Sequence, residues 1–418
     1  MVRFAAVPRP LPVWVVIPIV SLLGLLGMLP GCDGDREKSA TSPAASAPSP
    51  GDSATPVAYP TTSDIEDGGA AHLDYREYRL DGRFVVDDFC DRVAVLQRPV
   101  RSAVTNEICV FSNRTGRLRT VVVTPACGDP TWYIATAACS SRAIAWEELS
   151  PGDDLVETVS WRLYVARLDA DTLRISDVTL AADGTTDTWM RPLFDLSESH
   201  LFWKVQRRGG GGERGEVHAL DFSTLVETVV STTAEAYSTV SAVDDSAVVT
   251  ERTSPEAPRV ILAVRQSDGR DVLLLDLANE GQLIQFPAYA RGWAAWPLTL
   301  DADGDGSPHL YLREPDGTVH LVERRHTVWP AFCGDYLFYV TSVGDRLHPA
   351  REVVFGVHLA TLRRFTVVKG PEAEEAYEWQ GLFGAPTATH HVVLARKTEV
   401  TKGVLTYDVT LVRVYELD

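Results

Sequence analysis

Past residue 72 the apolar residues recur with a period of two. The runs RVAVLQR, RAIAWEE, HLFWKVQ, YLFYVTS and HVVLARK alternate over a few residues, and each is bounded by Asp, Gly, Ser, Pro or Asn. In an extended chain successive side chains point to opposite faces, so this pattern predicts many short, half-buried strands. No stretch shows the 3.6-residue period of an amphipathic helix, and the expectation is an all-β domain.

The runs also recur in a fixed order. An apolar strand, a turn of four to five residues, a Leu and a second strand appear at 107–123, 161–180, 215–230, 270–286 and 352–368. Units start near 83, 131, 188, 237, 290, 327 and 377. A repeat of roughly 40–50 residues with about four strands each predicts propeller blades. The expected fold is a seven-bladed β-propeller over 73–418, with six or eight blades left open by the same count. The fourth unit carries an extra run, RVILAVRQ, and the fifth lacks a last strand. An unpartnered strand, LDYREYRL at 73–80, precedes the first unit, and the chain ends on YDVTLVRVYEL. Pairing the two would close the ring and hide an edge. Pro192, Pro297, Pro330 and Pro386 fall in the first strands of their units. Proline is tolerated on an edge, which the innermost strand of a blade is. These repeats resemble the TolB and YVTN families of bacterial propellers, which implies a binding scaffold.

The first 72 residues are different in kind. Arg3 precedes an apolar run, VWVVIPIVSLLGLLGML, and then LPGC at 29–32. That order is a secretion signal, and the Leu-x-Gly-Cys ending resembles a bacterial lipobox. The resemblance implies a signal peptide over 1–31, cleavage before Cys32 and diacylglycerol on its thiol. The alternative is a membrane span, for which the run is short. Asp33 beside the lipidated cysteine resembles an inner-membrane retention signal, and the expected address is the cell envelope, either its periplasmic face or the cell surface. Residues 32–72 are rich in Ser, Pro, Ala, Thr and Gly, a composition that cannot bury enough apolar area to order itself. They are expected to be a disordered tether holding the domain roughly 30–40 Å from the bilayer.

The net charge of −18 argues against nucleic acid and against docking on anionic lipid by charge. The expected membrane contact is therefore the lipid on Cys32, carried by a monomer.

One stretch looks like chemistry. In LDADGDGSPHLYL, Asp301, Asp303 and Asp305 alternate with small residues and run into an apolar strand. A tight loop of this kind can turn several hard oxygens toward one calcium ion. It resembles the calcium loop of FG-GAP or integrin-type repeats. The resemblance implies carboxylate ligands from Asp301, Asp303 and Asp305, a backbone carbonyl from Ser307, and His309 where an Asp is expected. An EF-hand reading fails at Leu312, and the alternative is an unliganded turn. In the blade alignment this loop joins a first strand, GWAAWPLTL, to a second, PHLYLRE.

Five cysteines remain after Cys32. Cys90, Cys139 and Cys333 sit at the same place, the end of a first strand. Cys90 and Cys139 would lie in neighbouring blades, and Cys109 and Cys127 near one end of the first. Export permits disulfides. Two fit these positions, Cys109–Cys127 and Cys90–Cys139, with Cys333 left over, but spacing does not fix connectivity. The other reading is free thiols packed as small apolar groups.

The remaining motifs carry little. RRGGGGERG at 207–215 lacks the Lys-Ser or Lys-Thr of a phosphate loop and reads as a hairpin tip. His390 and His391 are adjacent, so in a strand they face opposite ways. DGTTDTW at 183–189 misses the spacing of a sialidase Asp box, and no G-x-S-x-G elbow is present. The leading expectation is thus a lipid-anchored, exported propeller that binds an envelope protein or a glycan. The rival is a propeller enzyme, a glycan lyase or hydrolase with its site at the channel mouth. Polar residues from several blades meeting at one mouth would favour the enzyme.

Overall fold

The chain divides into Met1–Ala54 and Thr55–Asp418. The computed structural model describes residues 63–67, 73–99, 106–151, 159–186, 191–206, 214–235, 238–243, 245–252, 260–266, 271–277, 283–284, 286–299, 308–324, 327–343, 351–367, 379–380, 391–399 and 407–417. Among these the regular structure is strand throughout, arranged in six sheets. The chain is all-β.

Sheets one and two are antiparallel meanders of four strands, over Val85–Val122 and Tyr133–Thr185. Sheet three has eight strands over Leu193–Leu277. It consists of two meanders joined through a single pair, Ala234 opposite Glu251. Sheet four spans Leu283–Glu323 and sheet five Thr327–Thr366. Sheet six combines Trp379–Gln380, His391–Glu399, Tyr407–Glu416 and, as its outer strand, Tyr75–Asp81. That last pairing is the expected one. Tyr75–Asp81 runs antiparallel to Val409–Tyr415 with every residue in register.

The apolar clusters show why the second strands are so uniformly apolar. One cluster lies between sheets one and two, the next between two and three, and another between the halves of sheet three. Two more join sheet three to four and four to five. The last draws on sheets five, six and one together. Each sheet therefore packs both faces, and Ala143–Leu149 is buried at every position. The tryptophans have a repeated place here. The fourth residue of the second strand is Trp146, Trp203, Trp296 or Tyr339. Each stacks on its cross-strand partner, Tyr164, His218, Tyr311 or Phe355, with ring centroids 5.6, 5.2, 6.1 and 5.7 Å apart. Such pairs add to sheet stability beyond area alone.

The echo between third and fourth strands is also a backbone motif. Its turns read SNRTG, DADTL, DFSTL and HLATL, and the fifth residue has positive φ in each: Gly116, Leu173, Leu225 and Leu362 at 68°, 54°, 55° and 52°. Asp221 Oδ1 shows how the turn is held, accepting from Ser223 N and Thr224 N at 2.6 and 2.9 Å.

Three readings of the sequence change. The strand Trp293–Thr299 is the second of sheet four. The first is split into Leu283–Ile284 and Ala288–Ala290, both pairing with it. Pro297 therefore sits in an interior strand, opposite the break between the two pieces, where its missing N–H costs nothing. The same shift makes Val260–Gln266 an ordinary third strand and Val319–Glu323 the last strand that the fifth unit lacked. The signal was missed because the inner strand is so short. Pro330 does lie on a first strand, Thr327–Cys333, at a register shift. Pro386 lies outside the described residues.

Finally, not all of 32–72 is bare tether. Ser63–Asp64 pairs in parallel with His320–Leu321, and Glu66–Asp67 with Arg363–Arg364. Between them Ile65 donates its N–H to Leu321 O at 3.3 Å and packs on the cluster between sheets four and five. One apolar residue in a polar stretch thus pins it across the outer edges of two sheets.

Candidate functional site

The polar groups that converge inside the domain come from first strands and from one position of the second strands. On the first strand of sheet one, Asp88 accepts from Phe89 N at 2.8 Å and, across to sheet two, from Cys139 N at 2.7 Å. Asp87 beside it accepts from Ala137 N at 2.9 Å and from the Gln97 amide. Sheet three repeats the device. Asp195 accepts from Leu196 N and, across to the second half of that sheet, from Ala242 N, both at 2.8 Å.

The fifth residue of the second strand supplies another set of ties. Gln97 donates to Ala135 O at 3.2 Å. Glu147, fully buried, takes Arg191 Nε and Nη2 at 3.0 and 2.5 Å. Lys204 donates to Ser238 O. Each partner lies in or just before the first strand of the following meander. At the other end of the first strands, turn meets turn. Ser141 N donates to Glu198 at 2.9 Å, Ser199 to Asp245, and Arg291 to Asp335 at 3.0 Å.

Burial without a matching cation raises a carboxyl's pKa. Asp87 is pushed up to about 7 by burial, partly offset by the Gln97 and Ala137 bonds. Asp195 is pushed to about 6 for the same reason, offset by Ala242 and Leu196. Burial and then the Asp195 charge hold Asp88 well above the usual carboxylate range. Glu147 is raised by burial, against the pull of Arg191.

The consequence for stability has a definite sign. A carboxyl whose pKa is higher folded than unfolded binds more protons in the native state between the two values. Its contribution is fully present below about pH 4 and is lost as pH rises toward 6 for Asp195 and 7 for Asp87. The double variant Asp87→Asn/Asp195→Asn should therefore gain on the wild type in melting temperature between pH 5 and pH 8. A difference that is flat or shrinks with pH would contradict this account of the two acids.

Chemically, most of this cluster is already committed. Both oxygens of Asp88 and of Asp195 are taken by backbone N–H groups, and Glu147 by a guanidinium. Glu148 accepts from Ala126 N, Cys127 N and Trp146 Nε1 at 2.5, 3.1 and 2.9 Å. Asp87 is the exception. Both of its bonds fall on Oδ2, and its Oδ1 meets no donor among the described residues.

None of these residues was singled out from sequence. The signal was present: VAVLQ, AIAWE and HLFWK each break an apolar run with one polar residue at the fifth position. Of the residues the sequence did single out, Cys32, Asp301, Asp303, Asp305 and Ser307 lie outside the described residues. His309 is a partly buried strand residue paired with Leu298. The acidic loop thus connects the second and third strands of sheet four rather than the first and second. Among the described residues no group of three or more His, Cys, Asp or Glu is placed to hold a metal. His391 opens a strand, His390 lies outside the described residues, and the glycine run falls between the strands His200–Gln206 and Arg214–Asp221.

The five cysteines are thiols in this structure. Cys90 and Cys139 meet at the interface of sheets one and two. Cys109 bonds Thr120 Oγ1 at 3.4 Å in the cluster shared by sheets five, six and one, whereas Cys127 faces Asp129 O at 3.9 Å beside the cluster of sheets one and two. Cys333 ends the first strand of sheet five, as expected.

No protein-family model matches the chain, and no curated protein does. Among solved structures it is similar to the β-propeller domain of the trilobed protease from Pyrococcus furiosus. The identity is 11%, over 77% of this chain and 97% of that one, with a TM-score of 0.49. It is similar to an oligogalacturonate lyase solved in complex with manganese at 9% identity, over 85% and 99% of the two chains, with a TM-score of 0.47. It is also similar to a prolyl endopeptidase at 11% identity and a TM-score of 0.48, covering 81% of this chain but only 50% of that one. The chain spans about half the length of that peptidase.

Proposed function

We propose that the protein is an exported, lipid-anchored β-propeller of seven blades, acting as a monomeric binding scaffold for an envelope protein or a glycan. The reading of seven is supported by the six sheets among the described residues, with the two halves of sheet three taken as separate blades. The observation that carries the scaffold reading is the commitment of the inner carboxylates. Asp88 and Asp195 each give one oxygen to the next residue's N–H and one to the following blade, and Glu147 gives both of its oxygens to Arg191, so among the described residues none of these three is an open acid or base. The lipid anchor rests on Leu29–Cys32. Replacing Cys32 by Ser should move the protein from the membrane to the soluble fraction, and a variant that stays in the membrane would sink the anchor.

One observation favours the enzyme reading. Asp87 keeps an open oxygen, stands beside Gln97 and has a pKa near 7, which suits a general acid or base. Incubating the mature protein with a panel of polysaccharides separates the two. The scaffold reading expects binding with no new reducing ends or unsaturated products. Turnover that disappears in Asp87→Asn would install the lyase or hydrolase instead.

We also propose that the 301–309 loop takes calcium as a structural ion, weakly, because His309 replaces a hard oxygen. An ion that binds only the native state adds about 2.7 kcal/mol at a hundred times its dissociation constant. Millimolar calcium should raise the melting temperature, Asp303→Ala should abolish the rise, and His309→Asp should enlarge it. No response in either the wild type or His309→Asp would remove the site.

A further inference from the structure

We propose that Cys90 and Cys139 close into a disulfide that staples the first strand of sheet one to that of sheet two. The proposal goes beyond the scaffold reading and needs from it only an oxidising destination.

Four observations carry it. The two residues occupy equivalent positions, directly after Phe89 and at the end of Tyr133–Cys139. They face each other across one seam: Cys139 N is held on Asp88, two residues before Cys90, at 2.7 Å, and both side chains enter the same apolar cluster, the neighbourhood a disulfide requires. Their backbones are fixed. Cys139 N donates to Asp88, Cys90 N donates to Val93 O at 2.8 Å, and Cys90 O accepts from the fully buried Asn113 amide at 2.8 Å. Both are buried in one apolar cluster, at 2% and 1% exposure, which shields a finished bond from reductant. Cys109 and Cys127 do not face each other, since their thiols lie on Thr120 and Asp129 in different clusters.

The thiolate of either cysteine attacks one sulfur of a disulfide oxidant, forming a mixed disulfide and releasing one oxidant thiolate. The other cysteine loses its proton and attacks the protein sulfur of that mixed disulfide, expelling the second thiolate. Two electrons and two protons pass from the protein to the oxidant. The exchange belongs to folding, before the two sheets close over both sulfurs.

The test refolds the purified protein with oxidised glutathione, so its result does not depend on where the cell places the chain. Expected are the loss of two hydrogens in the intact mass and a Cys90–Cys139 crosslink in a non-reducing digest. Cys109, Cys127 and Cys333 should still react with maleimide after unfolding. The melting temperature should rise by roughly 5 °C over the reduced form. Cys90→Ser and Cys139→Ser should each abolish crosslink and rise while folding normally. Full maleimide labelling of both cysteines after oxidation, or a crosslink between other cysteines, would overturn the proposal.

Discussion

A chain lacking residues 73–81 melts roughly 10 °C or more below the intact one, or fails to fold cooperatively. Tyr75–Asp81 is the only strand that reaches sheet six from the N-terminal side among the described residues, and it pairs along its whole length with Val409–Tyr415. Removing it bares the backbone of Tyr407–Glu416, an apolar strand that would become an open edge. It also removes Leu80, buried in the cluster of sheets five, six and one, and Tyr78, which packs edge-on against Phe111 at 5.3 Å. Glu77, which holds Arg413 at 2.9 Å, goes as well, leaving a guanidinium that is 7% exposed without that partner. Ladder bonds at about 1 kcal/mol each and buried apolar side chains at about 2 kcal/mol come to roughly 10 kcal/mol gross, of which the entropy regained by freeing the strand leaves the order of 5 kcal/mol. At about 2 °C per kcal/mol for a domain of this size, that is the stated shift. Thermal unfolding of the two chains checks it, and coincident melting curves would show that the strand closes nothing.

The second large effect is expected at Asp88. Asp88→Ala leaves Phe89 N and Cys139 N buried without their acceptor, at a cost of about 1–3 kcal/mol per group. The melting temperature should fall by roughly 5 °C or more. Asp88→Asn keeps one oxygen to accept from Cys139 N and removes the repulsion from Asp195, so its loss should be less than half as large. Equal losses in the two variants would mean that the carboxyl does not tie the first strands together.

Much of this was legible in the sequence, for reasons of geometry. The two-residue period gave the strands because every second strand lies between packed faces. The unpartnered 73–80 gave the closure because an apolar terminal strand needs a partner. Sheet four was misread by one strand, since AYA is too short to show alternation and Trp293–Thr299 looked like the start of a unit. The hold of Ile65 on Leu321 was invisible because two-residue strands leave no periodic signal. The inner acids were overlooked for another reason. Asp87 and Asp88 follow the apolar VV in the first strand of the first unit, and only the fold reveals that the backbone of the next sheet needs acceptors there. The same geometry brings Cys90 to Cys139, which spacing could suggest but not select.

The central claim is a ring of blades closed by a strand from the far end of the chain. Native-state hydrogen exchange tests it most directly, amide by amide. The account predicts that the amides of Tyr75–Asp81 that donate to Val409–Tyr415 exchange as slowly as those of the partner strand and open together with it. Exchange of Tyr75–Asp81 at loop-like rates, with Val409–Tyr415 still protected, would contradict it.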